Sequence, residues 1–306
     1  MSNHYLITGG AGFIGSHLAR AILAKGDLVT IFDNFSTGQK KRIPQEAKLI
    51  EASVTDSKAL STAVKKMNGI FHLAALPSVQ MSIEKPKETH AVNVDGTLNV
   101  FLAAKDAGIQ RVVYASSSAI YGNQSALPLK ESITPAPLSP YGLHKLMGEQ
   151  YAELFQGLWG METASLRFFN VYGPGMNLEG SYSTVIGIFL KQLAQKKPLT
   201  ITGDGKQTRD FVYIDDVVEA NILAMNTRKL EKMPVMNIGS GKSYSVNDIA
   251  QILGGETTHI APRVEPHDTL ADIRLAQKEL GWKPKIKFED GLHATLSWFK
   301  STVEVP

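Results

Sequence analysis

The chain has 306 residues, 43% hydrophobic and 20% charged, a balance that suits either two average soluble domains or one large α/β domain. Its 32 lysines and arginines against 29 acidic residues leave a net charge of +3, which argues against a nucleic-acid partner. With no cysteine, no two of its eight histidines at i, i+4 and no apolar run near the ~20 residues that cross a bilayer, the sequence excludes disulfides, thiol chemistry, a helical zinc site and a membrane span.

Residues 4–8 read as a strand and residues 13–25 as an amphipathic helix. A strand under way by Tyr5 leaves no room for a signal peptide, so a cytoplasmic setting is expected. Between the two, Thr-Gly-Gly-Ala-Gly-Phe-Ile-Gly-Ser-His sets Gly9, Gly12 and Gly15 three apart, and Gly10, Gly12 and Gly15 also satisfy Gly-x-Gly-x-x-Gly. Such glycines make a tight turn, let the backbone approach a pyrophosphate and bring helix close to strand, while the helix start near Phe13 and Ile14 turns free N–H groups toward the phosphates. A second strand at 28–32 leads into Asp33, placed to accept from both ribose hydroxyls and to repel a 2′-phosphate, which favours NAD over NADP.

Further strands are expected at 70–73 and 111–115, with a helix at 93–107 between them. Strands alternating with helices predict βαβ units in a Rossmann-type, doubly wound parallel sheet. The strand at 111–115 runs into Ser116, Ser117 and Ser118, one of which can bridge a substrate oxygen while the others satisfy turn backbone. Tyr141 and Lys145 are four apart, on one face of a helix, where a buried ammonium is expected to lower the phenol below its usual value of ~10. A tyrosine so tuned can take a proton from a sugar hydroxyl. After about Asn170 the chain becomes richer in Gly and Pro, with turns at 203–205 and 239–241, a strand at 236–238 and a helix stop at 279–284. The expected division is a dinucleotide-binding domain at 1–170, rejoined by 211–241, and a smaller C-terminal α/β substrate-binding lobe from 171–210 and 242–306.

Taken in order, these motifs resemble the extended short-chain dehydrogenases, specifically the UDP-hexose 4-epimerases. The resemblance runs from the glycine loop through His72-Leu73-Ala74-Ala75, residues 93–97 and 116–122, and Tyr141 to Lys145. It continues in residues 167–174, Arg209-Asp210-Phe211-Val212-Tyr213, Ala271-Asp272-Ile273 and Leu280-Gly281-Trp282. It implies Ser117 as the catalytic serine, with Ser118 second. Asn34, Ser53, Val54, Leu73, Ala74, Ala75 and Asn93 join the cofactor site, although the usual adenine-binding aspartate is replaced by Ser53. Asn170 and Arg209 are implied at the nucleotide diphosphate with Arg263, in a stretch that lacks the family's glycine, and Val185 and Tyr213 near the uridine.

The resemblance also discriminates between reactions. Sugar-nucleotide 4,6-dehydratases carry an Asp-Glu pair where this chain has Ser118 and Ala119, and UDP-glucuronate decarboxylases carry a Glu at the Ala119 position. Alanine cannot move a proton, so C4 epimerisation through a transient 4-keto sugar is the expected activity. Thr269 stands where a large tyrosine excludes N-acetylated sugars, which implies tolerance of UDP-N-acetylhexosamines beside UDP-hexoses. A UDP-glucuronate 4-epimerase, a net oxidoreductase and a non-catalytic dinucleotide sensor are the alternatives. The expected partners are a UDP-sugar and a second copy of the chain, paired through the helices at 93–107 and 141–156 in a four-helix bundle.

Overall fold

The computed structural model describes residues 2–178, 184–227, 235–261 and 267–302. In chain order the strands are β1 (His4–Thr8), β2 (Leu28–Asp33), β3 (Lys48–Glu51), β4 (Gly69–His72), β5 (Arg111–Ser117), β6 (Glu162–Phe168), β7 (Asn170–Tyr172), β8 (Leu199–Thr202), β9 (Thr208–Tyr213), β10 (Val235–Ile238), β11 (Ser243–Ser245) and β12 (Thr257–Ile260). The main sheet runs β10-β6-β5-β4-β1-β2-β3, with every neighbouring pair parallel. Its order reverses between β1 and β4, and the crevice at their carboxyl ends is where a doubly wound sheet takes its ligand.

The central strands are buried on both faces, as a sheet covered by helices requires. Successive side chains of β1 go to opposite sides. Tyr5 and Ile7 join the layer packed on the Phe13–Leu23 and Ile214–Asn226 helices, and Leu6 joins the layer under the Gly96–Asp106 and Pro140–Trp159 helices. The helix expected at 13–25 ends at Leu23, and the one expected at 93–107 divides into a π turn, Ala91–Asp95, and a regular helix from Gly96.

The C-terminal lobe holds a three-stranded sheet, β11-β9-β7, and the parallel pair β12-β8. Its core is continuous with one face of the main sheet: the apolar layer that begins at Tyr5 and Ile7 extends through Tyr172, Phe189, Phe211 and Trp282 to Phe299. The Trp282 indole donates to the Asp216 carbonyl at 2.9 Å, and the Asp216 carboxylate accepts from the Lys285 and Ile286 N–H groups. These bonds fasten the last segment to the first turn of the Ile214–Asn226 helix.

Gly148 brings the Pro140–Trp159 helix onto β5. A Cβ there would lie 2.2 Å from Tyr114 Oη. Gly148→Ala is therefore expected to lower unfolding stability by about 1–3 kcal/mol in a urea titration, with Tyr114→Leu in the same chain returning part of the loss.

Candidate active site

Gly9 follows β1 with φ +71°, and a Cβ on it would lie 2.7 Å from Ala74 N. A Cβ on Gly15 would lie 2.3 Å from Gly9 O. Only glycines allow β1, the β4 end and the following helix to meet this closely. That helix starts at Phe13 with Gly12 as N-cap, no side-chain cap and no acidic residue in its first turn. The N–H groups of its first turn and the positive end of its dipole therefore face the crevice, a cradle suited to a pyrophosphate. Asp33, at the buried end of β2, accepts from Ala11 N at 2.9 Å and Phe35 N at 2.8 Å, which ties the loop to this strand. Asn34 beside it is exposed.

Between β1 and β4 runs a buried polar chain. Thr8 Oγ1 and His72 Nδ1 are 2.7 Å apart, His72 Nε2 and Thr97 Oγ1 are 2.9 Å apart, and Thr97 donates to Asn93 O. Burial first, and the Lys145 charge second, push the His72 imidazole down to about 3, so it stays neutral. The Asn93 amide, on the π turn, grips the Leu76 backbone through both N–H and C=O. It thus shapes the segment carrying Leu73, Ala74 and Ala75. The hydroxyl of Ser53 is turned to Thr55, at 2.8 Å, and Val54 is packed in the core under Gly96.

Ser139 caps the long helix through Gly142 N, Pro140 occupies its first turn, and Tyr141 and Lys145 follow one turn apart. The Ser117 hydroxyl accepts from Ala119 N at 3.1 Å and is the polar side chain that acts on the Tyr141 phenol. Ser116 is buried and donates to Glu149, while Ser118 meets Tyr121 only through its carbonyl. Lys145, 4% exposed, donates to the Ala115 carbonyl at 2.7 Å. Burial pulls its ammonium down to about 8, opposed by the Glu149 carboxylate. The expected lowering of the phenol is not what the structure has. Burial raises Tyr141 above its usual 10.0, opposed by the Ser117 hydroxyl. The ammonium is turned to Ala115 and sits 5.9 Å from the Tyr141 ring centre, too engaged elsewhere to reverse the burial effect.

Across the crevice, Asn170 on β7 donates to the Asp210 carbonyl at 2.9 Å, and Arg209 on β9 donates to the Thr208 and His267 carbonyls. Thr269 pairs with Thr208 through its N–H, and its hydroxyl accepts from Asp210 N. Asn170, Arg209 and Thr269 thus share one edge. Tyr213 does not join them: its ring is buried against Tyr172, 5.5 Å between centres, and against Gly291. Val185 starts the Val185–Ala194 helix and packs partly into the core. Arg263 lies outside the described residues.

Three supporting groups escaped the sequence reading. Asp210, fully buried on β9, accepts from Ser240 N and Oγ, Gly241 N and Ala271 N, fixing Arg209 relative to two other segments, with burial raising its carboxyl to about 6. Glu149 and Arg167 form a buried pair, Nη2 to Oε2 2.7 Å. An arginine flanked by large apolar residues within a strand, as in Leu166-Arg167-Phe168, is the signal that marks such a pair.

The profile of the NAD dependent epimerase/dehydratase family matches residues 5–239. The chain belongs to that family. A putative UDP-glucose 4-epimerase of Methanocaldococcus jannaschii is 39% identical, over 97% of this chain and 98% of that protein. The crystal structure of a Thermotoga maritima UDP-glucose 4-epimerase with UDP-glucose superimposes with a TM-score of 0.94 at 35% identity, covering 98% of this chain and 100% of the other. A UDP-N-acetylglucosamine 4-epimerase of Methanobrevibacter ruminantium, in complex with UDP-N-acetylmuramic acid, gives 0.93 at 34% identity, over 99% and 100% of the two chains. The glycine cradle and Asp33 fit the NAD on which the family depends.

The buried lysine has a consequence for stability. Its folded value near 8 lies below its ordinary 10.5, so between these limits the unfolded chain binds the extra proton and folding gains as pH rises. Lys145→Met is expected to be more stable than the parent chain in urea at pH 7, with the difference shrinking by pH 9.5.

Proposed function

We propose that this chain interconverts UDP-hexoses at C4 through a transient 4-keto sugar, with UDP-N-acetylhexosamines also accepted. The observation that carries the reading is the helix face that sets Tyr141 and buried Lys145 against the end of β5, with Lys145 bonded to the Ala115 carbonyl and Ser117 beyond it, followed by Ser118 and Ala119, which offer no acid–base pair for dehydration or decarboxylation. Bound NAD supplies a reversible hydride acceptor. Gly9, Gly12, Phe13, Ile14 and Gly15 would hold its pyrophosphate, Asp33 and Asn34 its adenosine ribose, Ser53 and Val54 its adenine, and Leu73, Ala74, Ala75 and Asn93 the remaining wall.

Tyr141 would take the C4 hydroxyl proton and later return it. Ser117 would donate to the oxygen on which charge develops, and the Lys145 ammonium would favour the phenolate through its field. Asn170 and Arg209, with Arg263, would anchor the diphosphate while the keto sugar turns over, and Val185 would border the uridine. The small Thr269 supports room for an N-acetyl group. In this reading the NAD domain is residues 1–170 with 211–241, and the remaining segments form the sugar-nucleotide lobe. We further propose a cytoplasmic homodimer. Leu143, Leu154 and Leu158 are exposed on one long helix and Leu102 on its neighbour, a stripe suited to a four-helix bundle. No helix among the described residues is long and apolar enough to cross a membrane.

The test is NMR of the purified protein incubated separately with UDP-N-acetylglucosamine, UDP-glucose and UDP-glucuronate. Conversion of either of the first two to its C4 epimer without accumulating NADH is the expected result. Stoichiometric NADH would make the protein a net oxidoreductase, and turnover of UDP-glucuronate alone would move the substrate. Tyr141→Phe should slow turnover at least ~100-fold with NAD still bound, and unaltered turnover would overturn its role. Leu154→Asp with Leu158→Asp should shift the sedimentation mass from dimer to monomer.

A further inference from the structure

The carboxyl end of β5 and the catalytic helix meet residue by residue. The Ala115 carbonyl accepts from Lys145, the Ser116 hydroxyl donates to Glu149, and the Ser117 hydroxyl acts on the Tyr141 phenol. Tyr141, Lys145 and Glu149 are spaced four apart, so one helix face presents all three. The middle contact is the most firmly held. Glu149 is 6% exposed, and Arg167, 3% exposed on β6, reaches it with Nε at 2.9 Å and Nη2 at 2.7 Å. The other arm of Arg167 donates to Tyr121 Oη, which donates to Asn237 on β10. The carboxylate therefore cannot rotate away from the helix face without breaking bonds to two other strands.

We propose, resting on the epimerase reading above, that Glu149 is a positioning residue of the active site. Pinned by Ser116 and Arg167, it holds the Tyr141–Lys145 face in register with β5 and supplies the negative charge that keeps Lys145 protonated. The groups facing Lys145 leave that task to Glu149. Tyr114 on β5 is buried and neutral, its ring 5.0 Å from the ammonium. His72 on β4 and His144 on the same helix are both neutral, lowered by burial to about 3 and about 4. Tyr141 is a neutral phenol, and Arg167 on β6 carries the opposite sign and faces Glu149. Among the described residues, Glu149 is the anionic group that acts on Lys145.

The test compares Glu149→Gln, Glu149→Asp and Glu149→Gln with Arg167→Met, the last removing the guanidinium that the single change leaves half-paired. Lys145 is titrated directly in the NAD-bound protein by NMR of ε-13C-lysine, assigned with Lys145→Met. In both Gln variants the Lys145 midpoint should fall by about one pH unit or more, and the alkaline limb of kcat should move down with it. KM should stay within about threefold, and Glu149→Asp should restore most of both shifts. An unchanged Lys145 midpoint in folded Gln variants, with only the melting temperature lowered, would overturn the proposal and leave Glu149 a packing residue. The direct titration decides the matter even if the parent chain turns over no UDP-hexose, an outcome that would count against the epimerase reading alone.

Discussion

A buried ammonium has to be held somewhere, and in this fold it is held by one carbonyl at the end of one strand. Lys145 is almost wholly out of water, and its contact with Ala115 O fixes both the pitch of the long helix and its distance from β5. Burying an ammonium is costly unless it is hydrogen-bonded and offset by opposite charge. The surrounding structure reflects that constraint. Gly148 lets the helix approach Tyr114 closely enough for its ring to cover the ammonium, and the Glu149–Arg167 pair places a carboxylate one turn further on.

The same economy of position governs the cofactor cradle. Thr8, His72 and Thr97 join the ends of β1 and β4 to the helix behind them through short contacts that contain no net charge. A neutral imidazole serves as donor on one side and acceptor on the other, so each threonine is satisfied without a buried ion. On the opposite wall the lobe uses a carboxylate instead. Asp210 accepts four hydrogen bonds and so fixes β9, from which Arg209 emerges. The crevice is thus held at the β1–β4 end through neutral groups and organised on the side of the lobe through a charged one. The continuous apolar layer from Tyr5 to Phe299 couples the two.

Much of this was legible in the order of residues. The alternation of strands with helices, glycine spacing and the Tyr–Lys interval are local patterns, and local geometry enforces them. The reading fell short where a side chain's role depends on what burial does to it. The phenol of Tyr141 was expected to be lowered by its lysine, yet desolvation dominates because the ammonium is committed to Ala115. Tyr213, placed near the uridine by resemblance, is turned into the core against Tyr172.

The sequence by itself determined the doubly wound sheet, the dinucleotide loop and the placing of Tyr141 and Lys145 on one helix face, because each rests on short spacings that a single strand–turn–helix unit interprets. Tertiary structure alone decided that the Lys145 ammonium is committed to Ala115, that Glu149 and Arg167 stand behind it, and that Asp210 orders the far wall. Those contacts join residues tens of positions apart, and their energies depend on burial. Both are properties of the packed chain, set only when strands and helices distant in sequence are brought together.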